Sequence, residues 1–287
     1  MAALFALGLA NGVAHADPPR AQRVDRARAR VAERPGDLES QLALAVELIR
    51  AGRPDAALAE LEVLEALAPA HGGAAYWRAR ALSDAGRPAE AEDALAHALD
   101  ARELALRGEL REERGARELA LEDYQAALSQ EPTIEVERRA AQLRARLGRT
   151  AEAADVLELA VRRTGSAVLR AEAAELARRA GRSDAALAHV DALLAAGDAV
   201  RWRVLRAAIL HEAGREAEAR EALERAAALA DARVERRVTA MALTERARVR
   251  EARGDLPGAR ADLAQASRLA PSWVVPRRLL AAMGGAR

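Results

Sequence analysis

The residues best suited to chemistry in this chain are four of its five histidines, His71, His97, His189 and His211, which lie beyond the N-terminal apolar run, and paired carboxylates such as Glu112 with Glu113 and Glu172 with Glu175. A histidine could ligate a metal or move a proton near neutral pH, and a carboxyl group in a desolvated pocket could act as a general acid. Spacing supports neither role. No G-x-S-x-G, G-x-x-x-x-G-K, H-E-x-x-H or EF-hand pattern occurs, and acidic pairs at these intervals are routine on solvated helix faces. The chain contains no cysteine, which removes disulfides, thiolate metal sites and a thiol nucleophile. A non-enzymatic protein without cofactor or metal is expected. All 45 basic residues are arginine and 44 acidic residues oppose them, for a net charge of +1. A nucleic-acid binder normally carries a strong basic excess, so nucleic acid is not an expected partner. Exclusive use of arginine reads as the bias of a GC-rich bacterial genome.

Any functional surface must be positioned by a repeat. Gly52, Gly86, Gly115, Gly148, Gly181, Gly214 and Gly254 are separated by 34, 29, 33, 33, 33 and 40 residues. Five residues after each stands an alanine: Ala57, Ala91, Ala120, Ala153, Ala186, Ala219 and Ala259. Seven residues before each stands another small residue: Ala45, Ala79, Gly108, Ala141, Ala174, Ala207 and Ala247. The histidines fall at four different places in this period, so stacking would not gather them.

Around each glycine the sequence lacks strand alternation and β-branched runs, so each unit predicts a helical hairpin. The glycine ends the first helix in a left-handed conformation. Two residues on, Pro54 and Pro88 suit a first helical position, and Thr150 and Ser183 suit an N-cap, so the second helix begins there. The small residues let the two backbones approach. Nine residues after each glycine comes an apolar plug: Leu61, Leu95, Tyr124, Leu157, Val190, Leu223 and Leu263. Pro69, Pro132 and Pro271 then stop the second helix. Only six residues are aromatic, so stability must rest on helix propensity and summed interfaces between stacked units.

This pattern resembles the tetratricopeptide-repeat family over residues 38–271. The third unit matches best, with Gly108, Gly115, Ala120, Tyr124, Ala127 and Pro132. At the family's usual tryptophan position stand Gln41, Ala75, Leu104, Glu137, Arg170, Arg203 and Leu243 instead. The resemblance implies an all-α, right-handed α-solenoid of about seven hairpins whose first helices line a groove for a protein partner. The groove residues it implies are Leu42, Val46 and Ile49 in the first unit, Tyr76 and Arg80 in the second, and Glu109, Glu112 and Glu113 in the third. In the fourth they are Arg138, Gln142 and Arg146, in the fifth Glu175, Arg178 and Arg179, and in the last two Val204, His211 and Arg248. Such a groove would be apolar at its start, acidic in the middle and arginine-rich beyond. The family's carboxylate clamp of lysine and asparagine cannot be carried over, because the chain has no lysine and only Asn11.

Outside the array, residues 1–16 combine a short apolar run with Ala14-His15-Ala16, a small-x-small cleavage pattern before Asp17. They are expected to be an export signal that places the mature chain in the periplasm or outside the cell, with a cytoplasmic location as the alternative. Residues 17–37 predict an arginine-rich capping helix, and residues 272–287 a closing helix and tail in which Trp273, Val274, Leu279 and Leu280 cover the last unit. The array is expected to form one continuous body, with a long first helix over residues 232–253 filling the 40-residue spacing. The expected function is an interaction scaffold or adaptor of the cell envelope. The alternative is the binding subunit of a separately encoded envelope enzyme or transport complex.

Overall fold

The computed structural model describes residues 20–69, 71–197 and 199–284, so the expected export signal lies outside the described residues. Every regular element among them is an α-helix. The helices form two compact bodies, one ending at Glu131 and the other beginning at Pro132, where the sequence alone suggested an unbroken array. Within each body, consecutive helices pack against one another.

The N-terminal body opens with α1 (Arg20–Glu33) and continues as three hairpins: α2 (Leu38–Arg50) with α3 (Pro54–Leu67), α4 (Ala74–Asp84) with α5 (Pro88–Ala94), and α6 (Ala101–Glu113) with α7 (Arg117–Gln130). The C-terminal body holds four more: α8 (Ile134–Arg146) with α9 (Thr150–Thr164), α10 (Ala167–Arg179) with α11 (Ser183–Ala196), α12 (Val200–Glu212) with α13 (Glu216–Arg236), and α14 (Ala240–Ala252) with α15 (Leu256–Leu269). Helix α16 (Val274–Gly284) closes it.

The hairpin turn explains the Gly-Arg dipeptide. Gly52 sits at φ 71°, a left-handed conformation that a Cβ would strain. Its N–H donates to Ile49 O at 2.9 Å, and the Arg53 N–H donates to Leu48 O at 2.9 Å. These two bonds are a Schellman closure, satisfying carbonyls that the end of α2 would leave open. Arg87, Arg149, Arg182 and Arg215 close the turns of their hairpins in the same way. Thr150 and Ser183 therefore do not cap their helices as expected. They are first helical residues, like Pro54 and Pro88, because the preceding arginine already occupies the cap without a side-chain hydrogen bond. Side-chain caps occur instead at five first helices, where Asp37, Asp100, Thr133, Ser166 and Thr239 accept backbone N–H groups, and at one second helix, α15, where Asp255 accepts from Gly258 N.

All the repeated alanines are buried, which is the close helix approach that the spacing predicted. At Gly108 there is no room for a side chain: a Cβ there would lie 2.7 Å from Tyr124 Cε1 and 3.3 Å from Ala120 O. Tyr124 fills that space, and its hydroxyl donates to Glu112 Oε2 at 2.9 Å.

The longest glycine spacing is filled by α13, the second helix of the sixth hairpin, which runs for 21 residues. The expected long first helix over residues 232–253 is thus corrected: extended backbone at Arg237 ends α13, and Thr239 caps α14 by accepting from Ala242 N at 3.1 Å. The shortest spacing truncates α5 to seven residues. Carbonyls of Leu95 and Ala96, left beyond its end, accept from Arg107 Nη1 at 3.0 and 3.2 Å.

Two buried carboxylates organise the third and seventh hairpins identically. Asp123, eight residues after its glycine, is held by Arg107 Nη2 at 2.7 Å and Arg111 Nη1 at 2.8 Å. Asp262, at the same register, is held by Arg246 Nη2 at 2.6 Å and Arg250 Nη1 at 3.0 Å. Each arginine pair stands on the facing first helix, eight and four residues before the glycine. Bonding to the carboxylates raises the basicity of Arg107 and Arg246 further, so these arginines are fixed cations.

At the C-terminal end, Leu279 and Leu280 pack on Ala247, Ala259 and Leu263, as expected of a cap. Val274 does not join them and is 49% exposed, because it lies where α16 begins.

Candidate functional site

First helices α8 and α10 use their buried alanines and leucines for packing, which leaves another face of each toward solvent. Between them lies a cleft of about 550 Å³ lined by Gln142, Arg146, Ala171, Glu172, Glu175 and Arg179, with Leu157 and Leu176 as its floor. Four of the residues implied by the repeat pattern, Gln142, Arg146, Glu175 and Arg179, therefore meet in one place.

Ion pairs set the electrostatics of this cleft. Arg138 Nε donates to both oxygens of Glu172 at 3.0 Å, and its Nη2 adds a bond at 2.7 Å. Arg178 engages Glu175 at 2.6 Å and also reaches Glu212 on α12. Both guanidinium groups have their basicity raised by these carboxylates. The acidic groups lining the cleft are thus neutralised by Arg138 and Arg178. Arg179, exposed on the rim, makes no ion pair among the described residues.

The cleft continues along the C-terminal body. A second chamber of about 600 Å³ shares Ala171 and Glu172 with the first and adds Val168, Leu193 and Trp202. The Arg201 guanidinium stacks over the Trp202 ring, 4.1 Å from its centroid. A third chamber of about 310 Å³ shares Ala199 and Arg201 with the second and adds Val204, Met241, Glu245, Arg248 and Trp273. Glu245 is neutralised by Arg233 at 2.6 Å, whereas Arg248 makes no ion pair among the described residues. Three neighbouring clefts thus share lining residues along the C-terminal body, with apolar walls and with Arg179 and Arg248 exposed at them.

Other implied residues lie elsewhere. His211 is exposed at the end of α12, with Nδ1 2.7 Å from Glu216, and lines none of these chambers. In the N-terminal body, Leu42 and Val46 line a cleft between α1 and α2. Ile49 corrects the expectation: it is only 9% exposed and packs in the core with Leu44 and Leu48. Tyr76 packs edge-on to Trp77 at 5.0 Å and lies under Arg102. Arg80 sits 4.0 Å from Glu109, Glu112 holds the Tyr124 hydroxyl, and Glu113 is exposed. The acidic trio therefore divides between an ion pair, a structural acceptor and a solvated charge.

Sequence reading overlooked Trp202, Met241 and the paired counterions. The counterions carried a signal, since Arg138 and Glu172 are 34 residues apart, close to one repeat period on adjacent first helices. Among the described residues, no group of three or more His, Cys, Asp or Glu side chains is placed to hold a metal, and no helix is long and apolar enough to cross a membrane.

No protein-family model matches the chain, and no curated protein matches it. Among solved structures, the C-terminal part of a repeat-containing protein from Cytophaga hutchinsonii, titled as a TPR protein, is similar with a TM-score of 0.57 at 15% identity, covering 83% of this chain and 98% of that one. The Pseudomonas aeruginosa protein pilF is similar with a TM-score of 0.52 at 16% identity, covering 90% of this chain and 99% of that one.

Proposed function

We propose that this chain, whose fold is that of tetratricopeptide-repeat proteins, is a non-enzymatic scaffold or adaptor that holds a segment of another protein along the groove of its C-terminal body. The observation that carries this reading is the continuity of the three chambers, which share Ala171, Glu172, Ala199 and Arg201. A stack of hairpins thereby offers one long track with alternating apolar and charged stations, which suits an extended or helical segment better than a small molecule.

The test uses a partner identified by co-purification with the full chain. Arg179→Glu and Met241→Arg alter exposed residues at opposite ends of the groove, and Met241 is 64% exposed, so neither change should disturb folding. Each is expected to weaken the partner's affinity by about tenfold. Unchanged affinity in both variants, with helix content intact, would place the contact surface elsewhere.

The same reading places the chain in the cell envelope, on the strength of the apolar run and the Ala14-His15-Ala16 pattern. Mass spectrometry of the protein from fractionated cells should find a mature N-terminus at Asp17 in the exported fraction. Intact Met1 on cytoplasmic protein would refute export without touching the scaffold reading.

A further inference from the structure

The register four residues before each turn glycine is a core position. Leu48, Leu82, Ala177 and Leu210 occupy it in four hairpins, and all are buried. Arginine occupies it in the other three, as Arg111, Arg144 and Arg250. Two of these are answered from the facing second helix, Arg111 by Asp123 at 2.8 Å and Arg250 by Asp262 at 3.0 Å, each aspartate standing eight residues after its glycine. In the fourth hairpin that place holds Val156.

Arg144 is therefore a buried cation without the carboxylate its counterparts hold. Only 7% of its side chain is exposed, and Nη1 is buried with no hydrogen-bond partner among the described residues. Glu152, an exposed residue in the first turn of α9, stands 3.8 Å from Nε, too far for a hydrogen bond. Burial lowers the basicity of Arg144, Glu152 opposes that effect and the neighbouring Arg149 adds to it. Water compensates an exposed arginine, but a buried guanidinium left unbonded costs stability that the leucine of three other hairpins would not. A neutral acceptor could satisfy the N–H without neutralising the charge.

We propose that Arg144 and Arg149 form a site for a small phosphate-type oxyanion at the first turn of α9, with Glu152 turning out to solvent as the ion binds. Helix α9 begins beside Arg144 with no side-chain cap on its first N–H groups, and the partial positive charge there favours an anion. Two guanidinium groups match the charge and the oxygens of a phosphate dianion. Arg149 and Glu152 are both exposed, so the approach to the buried guanidinium lies between side chains that can move. Arg144 lines none of the clefts described above, and the site does not rest on the scaffold reading.

The test is calorimetric titration of the full chain with inorganic phosphate and, in parallel, with methyl phosphate, so that tighter binding of one or the other tells a free ion from a phosphoryl group carried on a larger molecule. Binding should saturate, and it should raise the thermal midpoint. Arg144→Leu installs the residue that three other hairpins bury at this register, so the variant should fold, and its affinity should fall by at least about tenfold. Glu152→Gln removes the competing carboxylate and should tighten binding severalfold, a gain that a purely structural Glu152 would not produce. Val156→Asp restores the carboxylate of the third and seventh hairpins and should weaken binding by engaging Arg144 from within. Arg162→Glu, at an exposed position in the last turn of α9, should leave the affinity unchanged. No saturable binding of either ligand by the parent chain, or equal affinity in folded Arg144→Leu protein, would overturn the proposal. So would a Glu152→Gln variant that binds more weakly together with a Val156→Asp variant that binds as well as the parent.

Discussion

Alanine in place of Gly108 is expected to destabilise the N-terminal body by about 2 kcal/mol, the balance of two opposed effects. Glycine inside a helix is less favourable than alanine by about 1 kcal/mol, so the substitution would stabilise α6 if space allowed. It does not, because the new Cβ would stand 2.7 and 2.8 Å from ring atoms of the fully buried Tyr124. The ring has little freedom to retreat while Glu112 holds its hydroxyl at 2.9 Å. Overpacking of this kind costs about 1 to 3 kcal/mol, and a rigid ring places it at or beyond the upper end. The other six hairpins carry alanine opposite leucine or valine at these registers, which identifies Gly108 and Tyr124 as a matched pair. In a Tyr124→Leu background Gly108→Ala should therefore be neutral or stabilising, giving a coupling of about 2 to 3 kcal/mol in a double-mutant cycle. Urea denaturation followed by helical circular dichroism measures all four variants. Additive effects would mean that the ring does not set the residue at position 108.

Asp262→Ala should cost the C-terminal body about 3 kcal/mol, because it leaves two guanidinium groups facing each other without the carboxylate that holds both. Arg246 bonds Asp262 through Nε at 2.9 Å and Nη2 at 2.6 Å, and Arg250 adds a contact at 3.0 Å. Only 4% of the Asp262 side chain is exposed, so water cannot replace the lost partner in place. The comparison is Glu218→Ala, which removes an exposed carboxylate bonded by Arg215 at 2.7 Å and should change stability far less, because water replaces the lost partner. Equal effects in the two variants would show that the buried cluster contributes no more than a solvated pair.

These two expectations differ in how they could be found. The Gly108–Tyr124 match follows from the sequence, because it breaks a seven-fold pattern at both of its positions in one hairpin. The Asp262 cluster was equally repeated, as Arg-x-x-x-Arg followed twelve residues later by Asp in both the third and seventh hairpins. Its burial is not legible in the sequence, since arginine and carboxylate are abundant throughout and register alone does not reveal burial. The groove was legible only in part: Gln142, Arg146, Glu175 and Arg179 were named from the repeat, yet Ile49 was named by the same rule and is buried.

What the sequence determined by itself was the hairpin and its period. The left-handed glycine, the small residues across the helix contact and the apolar plug are local requirements, each met within some twenty residues of chain and repeated often enough to exclude chance. Only the tertiary structure decided which helix absorbed the long spacing, which carboxylates were neutralised and where adjacent clefts joined. Thr239 could have lain inside a helix on propensity alone, and its role as a cap depends on the chain reversing there to pack α14 against α13. Net potential at the clefts likewise depends on Arg138 and Arg178 pairing with Glu172 and Glu175. The Arg178–Glu175 pair is three residues apart on α10, but the Arg138–Glu172 distance arises from packing of α8 beside α10, one repeat away.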